Sequence, residues 1–306
     1  MKKFNLLFAA FALVFVLAAC TLENGSSSNN SDKATTNDTL TIGLSISTLN
    51  NPFFVTLNEG AQAKADELGA KLTVADAQDN ASKQTSDVED LIQQGVDVLL
   101  INPVDSAAVA SAVEAANAAG IPVITVDRTS EGGEVVSHIA SDNVAGGELA
   151  GEYLTELVGK GAKIVELEGV AGSSAARDRG DGFNKAIDGQ LKVVAKLTAN
   201  FNRAEGLTVM ENILQANPNV VGVFAHNDEM ALGAVEAIAA TGKDIKVIGF
   251  DATDDAQAAV KAGTLAATVA QKPEVIGSKA IETAIQYLKG ETVDASIPVE
   301  LELIKK

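Results

Sequence analysis

The chain has 306 residues, which is enough for one large domain or for two lobes of about 100–150 residues each. It carries 41 acidic residues against 23 basic ones, a net charge of −18, and this balance excludes the basic surface that nucleic-acid binding requires. Cys20 is the single cysteine, so no disulfide can form within the chain and the fold depends on its own core.

The N-terminal residues have the layout of an export signal: positive charge, an apolar run, then small residues before Cys20. The apolar run is too short to span a bilayer comfortably. The segment Leu17-Ala18-Ala19-Cys20 resembles the bacterial lipoprotein box, which implies cleavage before Cys20 and lipid on that residue. We therefore expect a signal peptide over 1–19, a lipidated cysteine and flexible tether over 20–38, and an extracytoplasmic protein anchored to the cell membrane. The alternative is an ordinary signal peptide with a chance cysteine.

From Thr39 onward, short β-branched runs alternate with longer amphipathic runs. The predicted strands are 40–47, 72–75, 96–101, 123–126, 136–140, 163–167, 193–197, 220–224, 247–250, 267–270 and 299–304. Apolar residues spaced three or four apart predict helices that stop before Gly69, Gly120 and Gly242. This alternation predicts an α/β fold of parallel sheets covered by helices on both faces.

About ten strands are many for one open sheet, and the two halves of the chain have similar patterns. Each half has a strand that opens into a polar loop and a later strand that ends in an acid, Asp127 or Asp251. Two doubly wound parallel-sheet lobes account for this pattern. Ligands of such sheets bind at the carboxyl ends of the strands, so the cleft between the lobes is the expected site.

The residues that follow the predicted strands suit a neutral, hydroxyl-rich ligand. Arginine donates hydrogen bonds, aspartate accepts them, and asparagine or glutamine does both, which matches hydroxyls that donate and accept. Phenylalanine faces stack on the C–H faces of a sugar ring, and this chain is poor in aromatic residues. No glycine-rich phosphate loop and no cluster of histidine or cysteine at metal-ligand spacing occurs in the sequence, so we expect no cofactor and no metal.

Seven segments together resemble the bacterial D-ribose-binding proteins of ABC importers, and the resemblance runs from about residue 39 to the end. The segments are Asn50-Asn51-Pro52-Phe53-Phe54, Leu100-Ile101-Asn102-Pro103, Val126-Asp127-Arg128, Ala175-Ala176-Arg177-Asp178-Arg179-Gly180, Asn227-Asp228-Glu229-Met230-Ala231, Gly249-Phe250-Asp251 and Ala270-Gln271. By resemblance, the sugar contacts fall on Ser47, Asn51, Phe53, Phe54, Asn102, Asp127, Arg128, Arg179, Phe201, Asn227, Phe250, Asp251 and Gln271. The lipoprotein box and the strongly acidic surface depart from the family pattern.

The resemblance implies a type I periplasmic-binding-protein fold and a monomer that captures D-ribose and delivers it to a membrane permease by hinge closure. We expect an N-terminal lobe of 39–141 plus 273–298 and a C-terminal lobe of 142–271 plus 299–306. Three chain segments should form the hinge, near 141–143, near 271–273 and before Val299. A further role in presenting the loaded protein to a membrane sensor stays open.

Several predicted contact residues have a purely structural alternative. Phe54 and Phe250 suit a core, Asn51 before a proline suits a helix cap, and Asp251 suits the cap of the following helix. Asp127 and Arg128 can both face a ligand only if the strand ends at Val126, because neighbours on a strand point to opposite sides. Outside this set, we interpret Arg177 as solvated, and His138 and His226 as structural.

The same residues leave other functions open. The ligand could be another pentose, a hexose such as allose, or a furanose signalling molecule. A glycosidase could use Asp127 and Asp251 as its carboxylate pair, but Arg128 beside Asp127 disfavours the protonated acid that such an enzyme needs. A sugar-responsive transcriptional regulator is disfavoured by the export signal and the acidic charge. We therefore predict a binding protein and no enzyme.

Overall fold

A computed structural model describes residues 39–306, so the export signal, Cys20 and the tether lie outside the described residues. The first part of the described chain contains β1 (Thr41–Ile46), α1 (Pro52–Leu68), β2 (Lys71–Asp76), α2 (Ala81–Gln93), β3 (Val98–Ile101), α3 (Ala110–Ala118), β4 (Val123–Val126) and β5 (Ser137–Ser141). The middle part contains α4 (Asn143–Val158), β6 (Lys163–Glu168), α5 (Ser174–Ile187), β7 (Lys192–Thr198), α6 (Arg203–Ala216), β8 (Gly222–Ala225), α7 (Asp228–Ala239), β9 (Lys246–Asp251), α8 (Asp254–Ala262) and β10 (Ala267–Ala270). The last part contains α9 (Pro273–Leu288), β11 (Ser296–Val299) and β12 (Glu302–Lys305).

The strands form two six-stranded sheets, each the centre of one lobe. The first sheet has the order β11-β5-β4-β3-β1-β2 and is parallel throughout. The second has the order β12-β10-β9-β8-β6-β7 and is parallel except for β12, which runs antiparallel to β10. The predicted architecture of two doubly wound lobes is confirmed.

The prediction of a single strand over the C-terminal run 299–304 was wrong. Val299 ends β11 and pairs with Ser141 in the first sheet, whereas Glu302 begins β12 and pairs with Ala270 in the second sheet. Glu300 and Leu301 lie between the two strands and carry the chain from one sheet to the other. Each sheet thereby gains an edge strand.

The chain passes between the sheets three times. The first passage lies between β5 and α4, and the second lies between β10 and α9. The third passage falls at Glu300 and Leu301 and therefore follows Val299. The prediction that it precedes Val299 is wrong. The strand pairing decides this position, which the apolar pattern of the last run conceals.

Both faces of each sheet are covered by helices, and the strands are nearly continuous apolar runs, as buried parallel strands should be. In the first lobe, α1 and α9 pack on one face of the sheet through Leu57, Ile276 and Ile281. In the second lobe, α4 and α5 cover one face and α6 and α7 the other. None of the helices formed by residues 39–306 has the length and hydropathy needed to cross a bilayer.

Candidate sugar-binding site

The carboxyl ends of the first sheet are tied together by one buried amide. Asn102 follows β3, and its Oδ1 accepts at 3.1 Å from the backbone N–H of Ser47, the residue that follows β1. Its Nδ2 donates to the carbonyl of Val126 at 3.1 Å, at the end of β4. Both Ser47 and Asn102 are fully buried. They hold the strand ends in place from behind the cleft.

The start of α1 supplies two aromatic rings. The side chain of Asn51 accepts from the backbone N–H of Phe53 at 3.0 Å, so the interpretation of Asn51 as a helix cap is correct. Phe53 and Phe54 meet edge to face with their ring centroids 5.1 Å apart. Phe54 belongs to the core of the first lobe, and it also lies 5.0 Å from the guanidinium of Arg128. The core and site interpretations of Phe54 are therefore compatible.

The strand β4 does end at Val126, so Asp127 and Arg128 are free of its alternation. Asp127 adopts a φ of +62°, a left-handed conformation that is uncommon outside glycine. Arg128 Nε then lies 3.6 Å from an oxygen of Asp127, and both side chains are buried. A hydrogen bond from Arg128 Nη1 to the carbonyl of Pro103 at 3.0 Å fixes the guanidinium.

In the second lobe, Arg179 on α5 is buried and held at two atoms. Its Nε donates to Asn143 Oδ1 at 2.8 Å, and its Nη1 donates to the carbonyl of His226 at 2.7 Å. The guanidinium lies 3.9 Å from the ring centroid of Phe250, a cation–π arrangement. Phe250 is fully buried in the core of the second lobe and supports the guanidinium of Arg179 from the core side. Sequence reasoning marked Asn143 only as a point where the chain changes lobe.

Asp251 at the end of β9 is buried beside Gln271, whose Nε2 donates to Asp251 Oδ1 at 2.8 Å. The same oxygen lies 3.8 Å from Arg179 Nη1. Asp251 does not cap α8, because Thr253 accepts from the first turn of that helix instead. Burial raises the pKa of Asp251 well above its ordinary value, and the positive charge of Arg179 opposes the rise.

The two buried arginines approach one ring from opposite lobes. The guanidinium of Arg128 lies 5.3 Å from the Phe201 centroid, and that of Arg179 lies 5.9 Å from it. Burial lowers the pKa of both arginines, whereas Asp127 beside Arg128 and Asp251 beside Arg179 raise it. Each lobe thus presents one buried arginine beside one buried aspartate.

Most of the predicted contact residues line one small cavity between the lobes. They are Asn51, Phe53, Phe54, Asp127, Arg128, Arg179, Phe201, Asn227, Asp251 and Gln271. Ser47, Asn102 and Phe250 do not reach it. Ala175 lines the cavity as well, and sequence reasoning missed it because a small apolar side chain carries no chemical signal.

Several polar atoms at this site are buried without a hydrogen-bond partner. They are Asp127 Oδ1, Arg128 Nε and Gln271 Oε1 at the cavity, and Ser47 Oγ behind it. Buried polar groups in native proteins are nearly always paired, so unpaired ones call for an explanation. The unpaired set contains both acceptors and donors, and three of its atoms belong to residues that line the cavity together with three phenylalanines.

The comparisons place the chain in a family. Residues 42–292 match the model of the periplasmic binding protein domain. The chain belongs to the periplasmic binding protein family. The ribose import binding protein RbsB of Bacillus subtilis is 55% identical over 290 residues, which cover 95% of each chain.

Two solved structures have the same fold. An ABC transporter solute-binding protein from Mycobacterium smegmatis with bound glycerol has a TM-score of 0.84 at 40% identity, covering 87% of this chain and 94% of its own. A periplasmic solute-binding protein from Actinobacillus succinogenes with bound D-allose has a TM-score of 0.81 at 32% identity, covering 87% and 97%. The expected resemblance, the fold and the expectation of a binding protein in place of an enzyme are confirmed.

In this periplasmic binding protein, the lobes also touch outside the cavity. The backbone N–H of Ser106 donates to the carbonyl of Gly172 at 2.9 Å, and that of Thr129 donates to Ser174 Oγ at 2.9 Å. Arg177 is exposed, as expected, but it pairs with Glu131 of the other lobe at 2.6 Å. These contacts join the loops after β3 and β4 to the loop before α5 and to the first turn of α5.

Of the two histidines of the binding protein, His226 is fully buried and His138 is partly buried. His138 is bonded through Nδ1 to Thr125 Oγ1 at 2.9 Å, and His226 through Nε2 to Glu166 Oε1 at 3.0 Å. Burial lowers the pKa of both imidazoles. Within residues 39–306, no three histidine, cysteine or acidic side chains are grouped so that they could hold a metal ion.

Proposed function

We propose that this chain captures D-ribose outside the cytoplasm and delivers it to the membrane permease of an ABC importer. The observation that carries the proposal is the set of buried, unpaired atoms Asp127 Oδ1, Arg128 Nε and Gln271 Oε1 on residues that line a cavity with three phenylalanines. Each buried polar group without a partner costs about 1–3 kcal/mol, and a small polyol supplies donors and acceptors together. The name of the Bacillus subtilis relative supports D-ribose as that polyol.

Binding and closure are coupled in this proposal because both lobes supply the contacts. Asp127 and Arg128 come from the first lobe, whereas Arg179, Asp251 and Gln271 adjoin the second sheet. A ligand that touches both sets favours the state with the lobes together by its differential affinity for that state. The permease would then read the position of the lobes, and a monomer suffices for the task.

The test is calorimetric titration of D-ribose into the Arg179→Ala and Asp251→Ala variants. Each substitution removes a charged hydrogen-bonding group worth about 1.5–3 kcal/mol, so each should weaken binding about tenfold or more. Both variants should remain folded without sugar, which circular dichroism measures.

Arg203→Ala and Asp244→Ala are the matched controls. Arg203 pairs with Glu229 and Asp255 within its own lobe, and Asp244 is largely exposed. Both controls should keep wild-type affinity. Wild-type affinity in the Arg179 and Asp251 variants as well would reject this cavity as the sugar site.

The choice among sugars is the finer part of the proposal. A relative of the same fold holds D-allose, so D-allose is the competing ligand. A hydroxymethyl group added to a ribose ring must fit between the rings of Phe53, Phe54 and Phe201. A thermal-shift panel of D-ribose, D-allose and D-arabinose should show the largest stabilisation with D-ribose at equal concentration. A larger rise in melting temperature with D-allose would mean that D-allose is the preferred ligand of the same site.

The anchor is a separate part of the proposal and rests on Cys20, the one cysteine of the chain. Cell fractionation with a clickable fatty acid should label the wild-type protein in the membrane fraction. Cys20→Ser should lose the label and the membrane association, because one hydrophobic signal is removed. An unlabelled wild-type protein would contradict lipidation and leave the sugar site unaffected.

A further inference from the structure

His226 lies at a junction between the core of the second lobe and the cavity. It follows β8, directly precedes Asn227, and is fully buried. Its imidazole packs beside the ring of Phe224 with the centroids 5.2 Å apart. Neither of its ring nitrogens reaches the cavity, so the contact-based prediction of the site leaves it out.

The ring of His226 is held at both nitrogens. Nδ1 accepts the backbone N–H of Gly169 at 3.4 Å, so we assign the ring proton to Nε2. Nε2 then donates to Glu166 Oε1 at 3.0 Å. Glu166 is itself fixed by Asn184, whose Nδ2 donates at 3.1 Å, and by Lys196 at 3.4 Å. The imidazole therefore has one orientation and one tautomer.

Two walls of the cavity depend on this ring. The carbonyl of His226 accepts from Arg179 Nη1 at 2.7 Å, so the peptide that the imidazole anchors also positions the guanidinium. Gly169, which donates to Nδ1, lies flat against the ring of Phe201, where a Cβ atom would overlap the ring. One side chain thus fixes both the cationic wall and the aromatic wall of the second lobe.

We propose that His226, oriented by Glu166, is a positioning residue that sets the affinity for the sugar by fixing Arg179 and Phe201. The inference rests on the proposed function, since it assigns a role in the same site. A histidine that merely fills the core would affect the stability of the protein and leave the affinity of the folded protein unchanged.

The experiment measures D-ribose affinity by calorimetry and thermal stability without sugar in two variants. His226→Ala removes both ring contacts and should weaken binding about tenfold or more. His226→Gln retains an amide that can donate to Glu166 and loses the acceptor for Gly169, so we expect a loss of only about two- to fivefold. This partial rescue distinguishes positioning from packing.

The other histidine provides the matched control. His138→Ala also removes a hydrogen-bonded imidazole, here a partly buried one, but its partner Thr125 is not a cavity residue. We expect His138→Ala to lower the melting temperature and to retain wild-type affinity. A double variant with Arg179→Ala should lose less affinity than the product of the two single losses, because His226 acts through Arg179.

Wild-type affinity in a folded His226→Ala variant would overturn the inference, provided that Arg179→Ala weakens binding. If Arg179→Ala and Asp251→Ala are both without effect, the proposed site itself has failed. Should His226→Ala not fold, His226→Gln decides: a two- to fivefold loss supports the positioning role, and unchanged affinity overturns it.

Discussion

At the scale of single residues, the site is built where the backbone leaves its ordinary conformations. Asp127, Phe201 and Asp251 have φ angles of +62°, +57° and +124°. Such conformations cost about 1–3 kcal/mol each for residues other than glycine and persist where the surrounding structure enforces them. In all three cases the turn comes at or just after a strand end, and the side chain lines the cavity. These backbone angles turn the side chains away from the strand and into the cleft.

Asp228 gives a pH-dependent prediction. It is buried, and it accepts from Thr268 Oγ1 at 2.6 Å and from the backbone N–H of Thr253 at 2.8 Å. Burial raises the pKa of Asp228 to about 7. The folded state therefore binds a proton that the unfolded state releases between about pH 4 and pH 7, so the contribution of Asp228 to stability falls as the pH rises through that range.

The measurement compares urea unfolding of wild type and Asp228→Asn from pH 4 to pH 8. The stability of wild type relative to the variant should fall by an amount on the order of a few kcal/mol across this range. Burial lowers the pKa of His226 and His138, so protonation of these groups destabilises both proteins below about pH 6.5. Because this loss of stability is the same in wild type and variant, it cancels when one curve is subtracted from the other. Asp244→Asn, at an exposed position, should give a parallel curve. A parallel curve for Asp228→Asn would contradict the prediction.

At the scale of elements, three pairs of helices meet at facing glycines. A Cβ atom at any of these glycines would overlap the backbone of the partner helix. The pairs are Gly60 with Gly277, Gly147 with Gly182 and Gly206 with Gly233. Sequence reasoning treats an isolated glycine in a helix as a weak point, because its packing value appears only when the partner helix is known. The helix faces were therefore predicted and the helix pairing was not.

The loop before α5 provides a prediction about closure. A Cβ atom on Gly172 would overlap the carboxylate of Asp105 in the other lobe. Asp105 is not free to move aside, because its Oδ1 accepts from the backbone N–H groups of Ala107 and Ala108 at 2.9 and 2.8 Å. Gly172→Ala should weaken D-ribose binding about threefold or more and leave the melting temperature of the sugar-free protein unchanged.

Gly277→Ala is the contrasting variant. Its Cβ atom would overlap the backbone of Leu57 within the same lobe, so it should destabilise the protein by about 1–3 kcal/mol with or without sugar. Calorimetry and thermal melts separate the two effects. If Gly172→Ala binds D-ribose as wild type does, residues 105 and 172 do not meet in the bound state.

At the scale of the whole molecule, the sequence predicts the features that follow from chain topology. It does not predict the contacts that depend on how the two lobes face each other. The alternation of strands and helices predicts the two sheets, and parallel strands end at one edge of their sheet, which places Asp127 at the edge of the first sheet and Asp251 at the edge of the second. The split of the last run into β11 and β12 was missed because one apolar stretch serves two sheets. The contacts of Ser106, Thr129 and Glu131 with the other lobe were missed because they depend on how the loops face each other.

The charge arrangement explains why the lobes should separate without sugar. Bringing them together buries Asp127 Oδ1, Arg128 Nε and Gln271 Oε1 without partners and places the guanidiniums of Arg128 and Arg179 on either side of Phe201. Unpaired buried groups and two neighbouring cations both disfavour that state. A bound polyol removes the first cost, so the population shifts toward the state with the lobes together.

Small-angle X-ray scattering should therefore show a smaller radius of gyration when D-ribose is added to the wild-type protein. Arg179→Ala should show no compaction at a sugar concentration that compacts wild type, because the second lobe loses its cationic contact. Arg203→Ala should compact as wild type does, since its ion pairs lie within one lobe. Calorimetry could instead show that wild-type protein binds D-ribose while scattering shows no compaction. The sugar would then be held without movement of the lobes, and the coupling between the cavity and the loops at Gly172 would have no role in binding.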